Sequence, residues 1–263
     1  MRTIALYNMK GGVGKTVTAA NLAHLYVTGR THRLEGTEQG APRRALLLDC
    51  DPQGNLSMYF KRYDKDKICG LRCGEAMETD WAGLDIMTGN KGLYQYEKHM
   101  CNHHDLTALK KLLEKRHGYD LAVIDCPPGF NMLTINALIA ADYIVIPTCL
   151  DAFSAQGLDG LDEQLHDIRK LNPRLKLLGV VINNVENNEM SRKVEEALRK
   201  NLPVFKTKIS HSKWISTSMT VNIPLAELEN ANGKMRKKIK NGMSLKPSWQ
   251  YRALMNEILE EKK

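Results

Sequence analysis

Short apolar runs and amphipathic stretches alternate along this chain. Apolar runs of the length expected for buried strands lie at residues 4–7, 45–48, 119–124, 143–146 and 177–182, with shorter candidates at 84–87 and 204–205. Apolar residues recur at helical spacing over residues 17–26, 106–115, 133–140, 155–171, 191–200 and 250–260. This alternation predicts an α/β fold, with a mostly parallel twisted sheet and helices on both faces. Ligands of such sheets bind at the carboxyl ends of the strands.

A glycine-rich loop joins the first predicted strand to the first predicted helix. Residues 8–16 read Asn-Met-Lys-Gly-Gly-Val-Gly-Lys-Thr. Backbone N–H groups of such a loop and the N-terminus of the following helix point at one anion, which indicates phosphate binding. Lys15 is expected to reach the β- and γ-phosphates and Thr16 to bind Mg²⁺. The predicted nucleotide-binding residues of the loop are Gly11, Gly12, Val13, Gly14, Lys15, Thr16 and Val17. The alternative is a plain glycine turn that carries two surface lysines.

The loop departs from the usual G-x-x-x-x-G-K-[ST] pattern in an informative way. Met9 occupies the first glycine position, and Lys10 adds a second lysine at the start of the loop. This form resembles the deviant Walker A motif of the ParA/MinD superfamily of ATPases. The resemblance implies a P-loop NTPase-like fold, ATP and Mg²⁺ as cofactors, and a homodimer that forms with ATP. It also implies that Lys10 reaches across the dimer to the partner's nucleotide and that Lys15 takes part in catalysis.

Carboxylates follow two of the predicted strands. Asp49 and Asp51 stand in Asp-Cys-Asp-Pro-Gln-Gly-Asn, and Asp125 precedes Cys-Pro-Pro-Gly. In phosphoryl transfer a carboxylate orients the nucleophile while Mg²⁺ neutralises developing charge. By resemblance to the two switch regions of the family, Asp51 positions or activates the attacking water. Asp49 then lies in the outer shell of the metal, and Asp125 holds the metal through a water. An N-cap or Asx-turn is the alternative for Asp51.

Two further residues resemble the family's base contacts. Asn183 ends the fifth predicted strand, and Ser210 follows the short strand at 204–205. The resemblance implies that both lie near the adenine. Asn183 could equally cap a loop.

Length and composition limit the class of protein. The 263 residues fit one α/β domain over 1–263, and no stretch approaches the roughly 20 apolar residues that span a bilayer. The chain starts directly in a strand without a signal segment, and six irregularly spaced cysteines suggest reduced thiols, so we expect a cytoplasmic protein. The net charge of +8 favours polyanionic partners, either DNA or an acidic membrane surface.

The basic residues near the C-terminus favour DNA. Five cations stand within seven residues: Lys234, Arg236, Lys237, Lys238 and Lys240. Clustered Lys and Arg bind DNA phosphates without sequence preference, although a solvated loop is the alternative. The terminal segment 250–263 is amphipathic, but its tip is rich in glutamate, which anionic lipid would repel. We therefore expect this helix to pack on the domain and expect no membrane partner.

The remaining polar clusters suggest no further chemistry. Three histidines and a cysteine lie too close together for a common zinc spacing, and we interpret them as a surface polar loop. They are His99, Cys101, His103 and His104. Cys69 and Cys73 are assigned no role, and residues 28–44 are predicted to form an exposed loop of unknown purpose.

The motifs together resemble ParA/Soj-like partition ATPases. That resemblance implies a slow ATP hydrolase that coats DNA non-specifically, is nucleoid-associated, and segregates a plasmid, chromosome or mobile element. A centromere-binding, ParB-like protein would stimulate it. Two alternatives keep the fold: a MinD-like positioning ATPase at the membrane, and a carrier of a metal or cluster.

Overall fold

The structure is a computed structural model, and it describes most of the chain. The described residues are 1–29, 42–150, 160–185, 189–231, 239–240, 243–244 and 246–260.

The strands begin and end close to the apolar runs of the sequence. They are β1 (Arg2–Leu6), β2 (Ala45–Asp49), β3 (Met77–Glu78), β4 (Leu84–Met87), β5 (Leu121–Asp125), β6 (Tyr143–Cys149), β7 (Lys176–Val185), β8 (Val204–Ser210), β9 (Ile239–Lys240) and β10 (Met243–Ser244). Eight of them form one sheet in the order β3-β4-β2-β5-β1-β6-β7-β8. Its neighbours are parallel except for β3, which runs antiparallel to β4. The mostly parallel sheet predicted from the sequence is confirmed.

The helices cover both faces of this sheet. They are α1 (Lys15–Val27), α2 (Asn55–Tyr59), α3 (Gly70–Cys73), α4 (Leu93–Asn102), α5 (Ala108–Glu114), α6 (Met132–Ala140), α7 (Leu161–Leu171), α8 (Glu189–Asn201), α9 (Lys213–Val221), α10 (Leu225–Ala231) and α11 (Pro247–Glu260). Our sequence analysis missed α2, α3, α4, α9 and α10. Helix α4 shows why, because only Leu93 and Met100 of its ten residues are buried and the apolar stripe is correspondingly thin.

Alternate residues of each central strand pack into two separate hydrophobic cores, one on each face of the sheet. Ile4 and Leu6 of β1 pack in the core that contains α1 and α11. Ala5 and Tyr7 belong to the core on the opposite face, which contains α4, α5, α6 and α7. This period of two is the pleat of a strand buried on both sides, and it explains why the strands are continuous apolar runs.

Several element boundaries differ from our predictions. The strand expected at 119–124 begins at Leu121, and the hydroxyl of Tyr119 donates to the Asp85 carboxylate at 2.6 Å. The short strand at 204–205 continues to Ser210. The helix expected at 155–171 is described from Leu161 onward. Most of the loop predicted at 28–44 lies outside the described residues.

The C-terminal helix α11 packs against the domain, as predicted. Tyr251, Leu254 and Ile258 are each at most 1% exposed and join the core beside α1. Glu257 accepts hydrogen bonds from the backbone N–H groups of Lys206 and Thr207, both at 2.8 Å, on the edge strand β8. The apolar face of α11 is therefore already packed in the core. Among the described residues, no helix combines the length and apolarity needed to cross a bilayer.

Two predicted polar clusters have different outcomes. Of the five C-terminal cations, Lys240 lies in β9, and Lys234, Arg236, Lys237 and Lys238 fall outside the described residues. The cluster of histidines and a cysteine was predicted as a loop, and that prediction is partly wrong. His99 and Cys101 belong to the last turns of α4, whereas His103 and His104 follow it. Within the described ranges, no group of three or more His, Cys, Asp or Glu side chains could hold a metal ion.

Candidate functional site

The glycine loop leads from the end of β1 directly into α1. Gly14 immediately precedes the helix with φ of +92°, a left-handed conformation that favours glycine. A Cβ atom at this position would lie 2.6 Å from Nδ2 of Asn183, so the Asn183 amide would have to move away from the loop. The N–H groups of the first turn of α1 have no intrahelical acceptor, and they face the loop. The sequence therefore builds an anion cradle at the carboxyl end of β1.

A cavity of about 800 Å³ opens above this cradle. The glycine loop forms one end of it, and residues in or after β2, β5, β6, β7 and β8, together with Tyr251 of α11, form the rest. Its lining residues are Gly11, Gly12, Val13, Gly14, Lys15, Thr16, Val17, Asp51, Gln53, Asn55, Pro128, Cys149, Asn183, Asn184, Ile209, His211, Ser212, Ile215, Ser216, Met219 and Tyr251. All seven loop residues predicted to bind nucleotide are among them.

Lys15 is the buried cation of the cradle. Its Nζ donates to the carbonyl oxygens of Asn8 at 3.0 Å and Lys10 at 2.9 Å. Burial lowers the pKa of this ammonium, while the nearby carboxyls of Asp125 and Asp51 oppose that change. The charge is thus held at the loop end of the cavity, where a phosphate would lie.

Lys10 takes a different position. Its backbone N–H donates to Asn8 Oδ1 at 2.9 Å, and Asn8 Nδ2 donates to the carbonyl of Pro147 at 2.8 Å. Asn8 therefore ties the start of the loop to β6. Lys10 is not among the residues that line the cavity of its own chain.

Asp49 is fully buried at the end of β2 and is supplied with hydrogen-bond donors. Its Oδ2 accepts from the Ser57 N–H at 2.7 Å and from the Ser57 hydroxyl at 2.6 Å. Its Oδ1 accepts from the Asp51 N–H at 3.3 Å. Burial raises the pKa of Asp49 to about 7 in spite of the Ser57 donors, and the Asp51 carboxylate adds to the rise.

Asp125 is the residue opposite Asp49 in the parallel pairing of β2 with β5. It is 1% exposed, and within the described structure no donor makes a hydrogen bond with either carboxylate oxygen. Burial raises its pKa well above the usual range, and Asp49 adds to the rise. The Thr16 hydroxyl and Lys15 oppose it. A buried carboxylate without donors, beside a threonine hydroxyl, has the hard oxygen chemistry that Mg²⁺ requires.

Asp51 lines the cavity in the loop between β2 and α2. Its Oδ1 accepts the N–H of Gln53 at 2.9 Å, which is the Asx-turn that the sequence allowed. The turn and a role at the phosphates are compatible, because the same carboxylate faces the cavity.

The end of the cavity away from the glycine loop was only partly anticipated. Asn183 Nδ2 donates to the carbonyl of Val13 at 2.9 Å, so this side chain braces the glycine loop as well as lining the cavity. Ser210 is not among the lining residues. Its N–H and hydroxyl are each 3.0 Å from the Gln250 amide of α11. The expectation of a base contact at Ser210 therefore finds no support in the geometry.

Residues next to the two predicted adenine contacts line this end of the cavity. Asn184, with φ of +55°, and His211 line the cavity, and Asn184 Oδ1 lies 2.6 Å from His211 Nδ1. Ile215 and Met219 of α9 add apolar wall. We missed Ile215 and Met219 because α9 was not predicted, whereas Asn184 and His211 are direct neighbours of the two residues that were predicted. The paired asparagines after an apolar strand were the available signal.

The fold and cavity define a P-loop α/β protein of the nucleoside-triphosphatase class. A family described as AAA domain matches residues 1–177. The chromosome-partitioning ATPase Soj of Thermus thermophilus is 35% identical over 205 residues, covering 76% of this chain and 76% of that protein. The chromosome partitioning protein ParA of Caulobacter vibrioides is 32% identical over 215 residues, again with 76% of each covered. The chain belongs to this family of ParA/Soj-type ATPases.

Solved structures agree with the fold. Cobyrinic acid a,c-diamide synthase from Mycobacterium smegmatis, with bound ATP analog and magnesium, matches with a TM-score of 0.76 and 26% identity. The match covers 100% of this chain and 96% of that one. A putative plasmid partition protein from Borrelia burgdorferi bound to AMPPNP has a TM-score of 0.74 at 22% identity, covering 99% of both chains. The second similarity supports the fold alone.

Proposed function

We propose that this protein is an Mg²⁺-dependent ATPase that dimerises with ATP, binds DNA non-specifically and partitions a DNA molecule. One observation carries the proposal. The cavity brings together a glycine-loop cradle, a buried lysine and the Asp51 carboxylate, while a second carboxylate without donors lies behind Lys15 and Thr16. These are the groups that bind, neutralise and hydrolyse a triphosphate.

Nucleotide binding follows from the cradle and its surroundings. The N–H groups of residues 11–16 would hold the phosphates, and Lys15 would leave its two carbonyl acceptors to meet the β/γ-phosphates. The base would lie toward Asn183, Asn184 and His211. Thr16 and Asp125 would hold the metal, with Asp49 behind them, and the metal would neutralise charge on the transferred phosphoryl group.

Hydrolysis needs an oriented water and a complete site. Among the described residues that line the cavity, Asp51 is the one with a carboxylate, and it would orient the water. Lys10 does not line its own cavity, which suits a residue that acts on the nucleotide of the partner in a dimer. Such a site completes itself only when two chains close, so turnover is expected to be slow and open to stimulation by a ParB-like partner.

The DNA partner is inferred from charge. The net charge of +8 and the cations at 234–240 give a salt-sensitive affinity for phosphate backbones. The family's chromosome-partitioning members support the same partner and an association with the nucleoid. Neither a membrane role nor metal carriage is favoured by an observation on the described residues.

The test combines turnover with nucleotide-gated DNA binding. We expect DNA mobility shifts with a non-hydrolysable ATP analogue, weaker or none with ADP or no nucleotide, and a steep loss of affinity as salt rises. Lys15→Ala should abolish nucleotide binding. Asp51→Ala should keep binding but lose turnover by about 100-fold or more.

Two outcomes would contradict the proposal. Turnover by Asp51→Ala equal to that of the parent would remove the catalytic assignment. Nucleotide-dependent dimers without DNA affinity would leave an ATPase of this fold with a different partner, and liposome sedimentation and metal analysis would then examine the membrane and carrier alternatives.

A further inference from the structure

Helix α4 touches both loops that border the phosphate end of the cavity, although none of its residues lines that cavity. The first loop, residues 51–55, follows β2 and carries Asp51. The second loop, residues 126–134 including the first turn of α6, follows β5 and carries Pro128, which also lines the cavity. The two loops leave different strands, so a shared contact has to come from another element.

The contact with the first loop is made by Tyr94. Its hydroxyl accepts a hydrogen bond from Gln53 Nε2 at 3.2 Å. The backbone N–H of the same Gln53 donates to the carboxylate of Asp51. Tyr94 is 53% exposed, so its ring contributes little to the core and the polar tip is its main contact with the loop. Tyr94 is therefore hydrogen-bonded to the residue whose N–H holds the Asp51 carboxylate.

The contact with the second loop is made by Glu97. Its Oε1 accepts from the N–H of Met132, the first residue of α6, at 3.1 Å. A carboxylate at this position satisfies a free N–H group and suits the positive end of the helix dipole. Thr134 of the same helix returns a hydrogen bond from its hydroxyl to the carbonyl of Gly129 at 3.1 Å. The N–H of Gly129 in turn donates to the carbonyl of Met9 in the glycine loop at 3.0 Å.

Helix α4 is rigidly attached between these contacts. Leu93 and Met100 are buried in the core beneath it. Just before the helix, the amide of Asn90 donates to the carbonyls of Asp64 at 2.7 Å and Lys67 at 2.9 Å. Tyr94 and Glu97 are three residues apart, so they lie on the same side of the helix. A rigid element with one contact on each of two loops can transmit the position of one loop to the other.

We propose that α4 couples the two loops, with Tyr94 and Glu97 as positioning residues, so that a bound triphosphate orders both loops together. This inference rests on the proposed nucleotide function. It places the coupling in two side chains outside the cavity, which are not expected to contact the nucleotide.

Hydrogen exchange of the two loops is the direct test. In the parent, a non-hydrolysable ATP analogue with Mg²⁺ should slow exchange in both 51–57 and 126–134. In Glu97→Ala the analogue should still bind within about threefold of the parental affinity and protect 51–57, but protection of 126–134 should be largely lost. Lys98→Ala, an exposed neighbour on α4, is the matched control and should exchange like the parent.

Turnover gives a second readout that a merely structural role would not move. We expect kcat to fall by about tenfold in Glu97→Ala with KM within about threefold, because a misplaced loop impairs the reaction more than binding. Glu97→Gln keeps an acceptor oxygen and should recover most of the loss. Adding Tyr94→Phe to Glu97→Ala should cost less than the product of the two single losses, since both break one coupling.

Three results would overturn the coupling: full protection of both loops in Glu97→Ala, an equal defect in Lys98→Ala, or independent losses in the double variant. A parent that binds the analogue without hydrolysing ATP would overturn the proposed function, and the exchange data would still decide the coupling. A parent that fails to bind the analogue would overturn both.

Discussion

Asp49 and Asp125 end neighbouring parallel strands, stand opposite each other in the register, and are almost completely buried. Asp49 accepts three hydrogen bonds, two from Ser57 and one from the backbone of Asp51. Asp125 makes no hydrogen bond that meets distance and angle criteria with a described residue, although the nearby Thr16 hydroxyl favours its charged form. The protein therefore satisfies the carboxylate of Asp49 much more fully than that of Asp125.

Asp49 and Asp125 look alike in the sequence, because each ends an apolar run. Their different hydrogen bonding separates a structural carboxylate from one that could bind a cation. Two of the three donors of Asp49 belong to Ser57 of α2, and the third is the N–H of Asp51 in the first loop. The loop after β5 offers no such donors to Asp125, because its next residues are Cys126 and two prolines, which lack N–H groups. The hydrogen bonds of Asp49 therefore stabilise the fold. Burial of the Asp125 carboxylate carries a desolvation cost that a cation would offset.

The largest expected effect is a loss of ATP turnover when the carboxylate of Asp125 is neutralised. Asp125→Asn should reduce Mg²⁺-dependent ATP turnover by about 100-fold or more, since the negative charge beside the metal is lost. The nucleotide-free protein should be no less stable than the parent, because a buried unpaired carboxylate has been removed. Turnover across a Mg²⁺ titration and urea unfolding measure the two effects. Turnover of Asp125→Asn equal to that of the parent would contradict the difference in role between Asp125 and Asp49.

A smaller effect, on the free energy of unfolding, is expected when Asp49 loses the Ser57 hydroxyl as a donor. Ser57→Ala removes a hydroxyl that donates to Asp49 and accepts the Gly89 N–H at 2.9 Å. The free energy of unfolding should fall by about 1–3 kcal/mol, because the buried Gly89 N–H is left unpaired and Asp49 loses one of its three donors. Urea unfolding of Ser57→Ala, Asp49→Asn and the double variant forms a cycle. Fully additive losses would show that the Ser57 effect does not act through Asp49.

A further expected effect is a pH dependence of the stability of the nucleotide-free protein. Both carboxyls have raised pKa values in the folded state, and that of Asp49 is about 7. The folded state then binds more protons than the unfolded state between the usual carboxyl pKa and 7. The free energy of unfolding should therefore fall as pH rises through that window, by at most about 1.4 kcal/mol per pH unit for each group.

Urea unfolding at a series of pH values measures this slope. Asp49→Asn should flatten it, whereas the exposed control Asp167→Asn should change it little. A stability that is constant or rises with pH in the parent would contradict the raised pKa values.

The glycine loop and the ends of the central strands were predictable from contiguous residues. A strand, a loop rich in glycine and a helix N-terminus form a phosphate cradle wherever they occur in that order, because the anion is bound mainly by backbone groups. The acids Asp49 and Asp125 were likewise placed by the ends of two apolar runs. Buried strands of a parallel sheet are apolar on both faces, so their sequence pattern is strong.

Helix α4 and the far end of the cavity were not predictable in this way. Helix α4 has a thin apolar stripe, and its contacts with Gln53 and Met132 join segments about 40 residues apart. Ser210 was expected to face the base, but the fold turns it toward Gln250 of the C-terminal helix and gives the cavity wall to His211 instead. Such choices depend on which side chains meet after the chain has packed.

The sequence by itself determined the class of fold, the phosphate cradle and the acids at the sheet edge, because each is encoded by local pattern and backbone geometry. The tertiary structure alone decided which of the paired acids receives donors, which asparagine braces the glycine loop, and which helix connects the two loops. Hydrogen bonds between distant segments carry no periodic signal along the chain, so they are defined only when the sheet brings their donors and acceptors together.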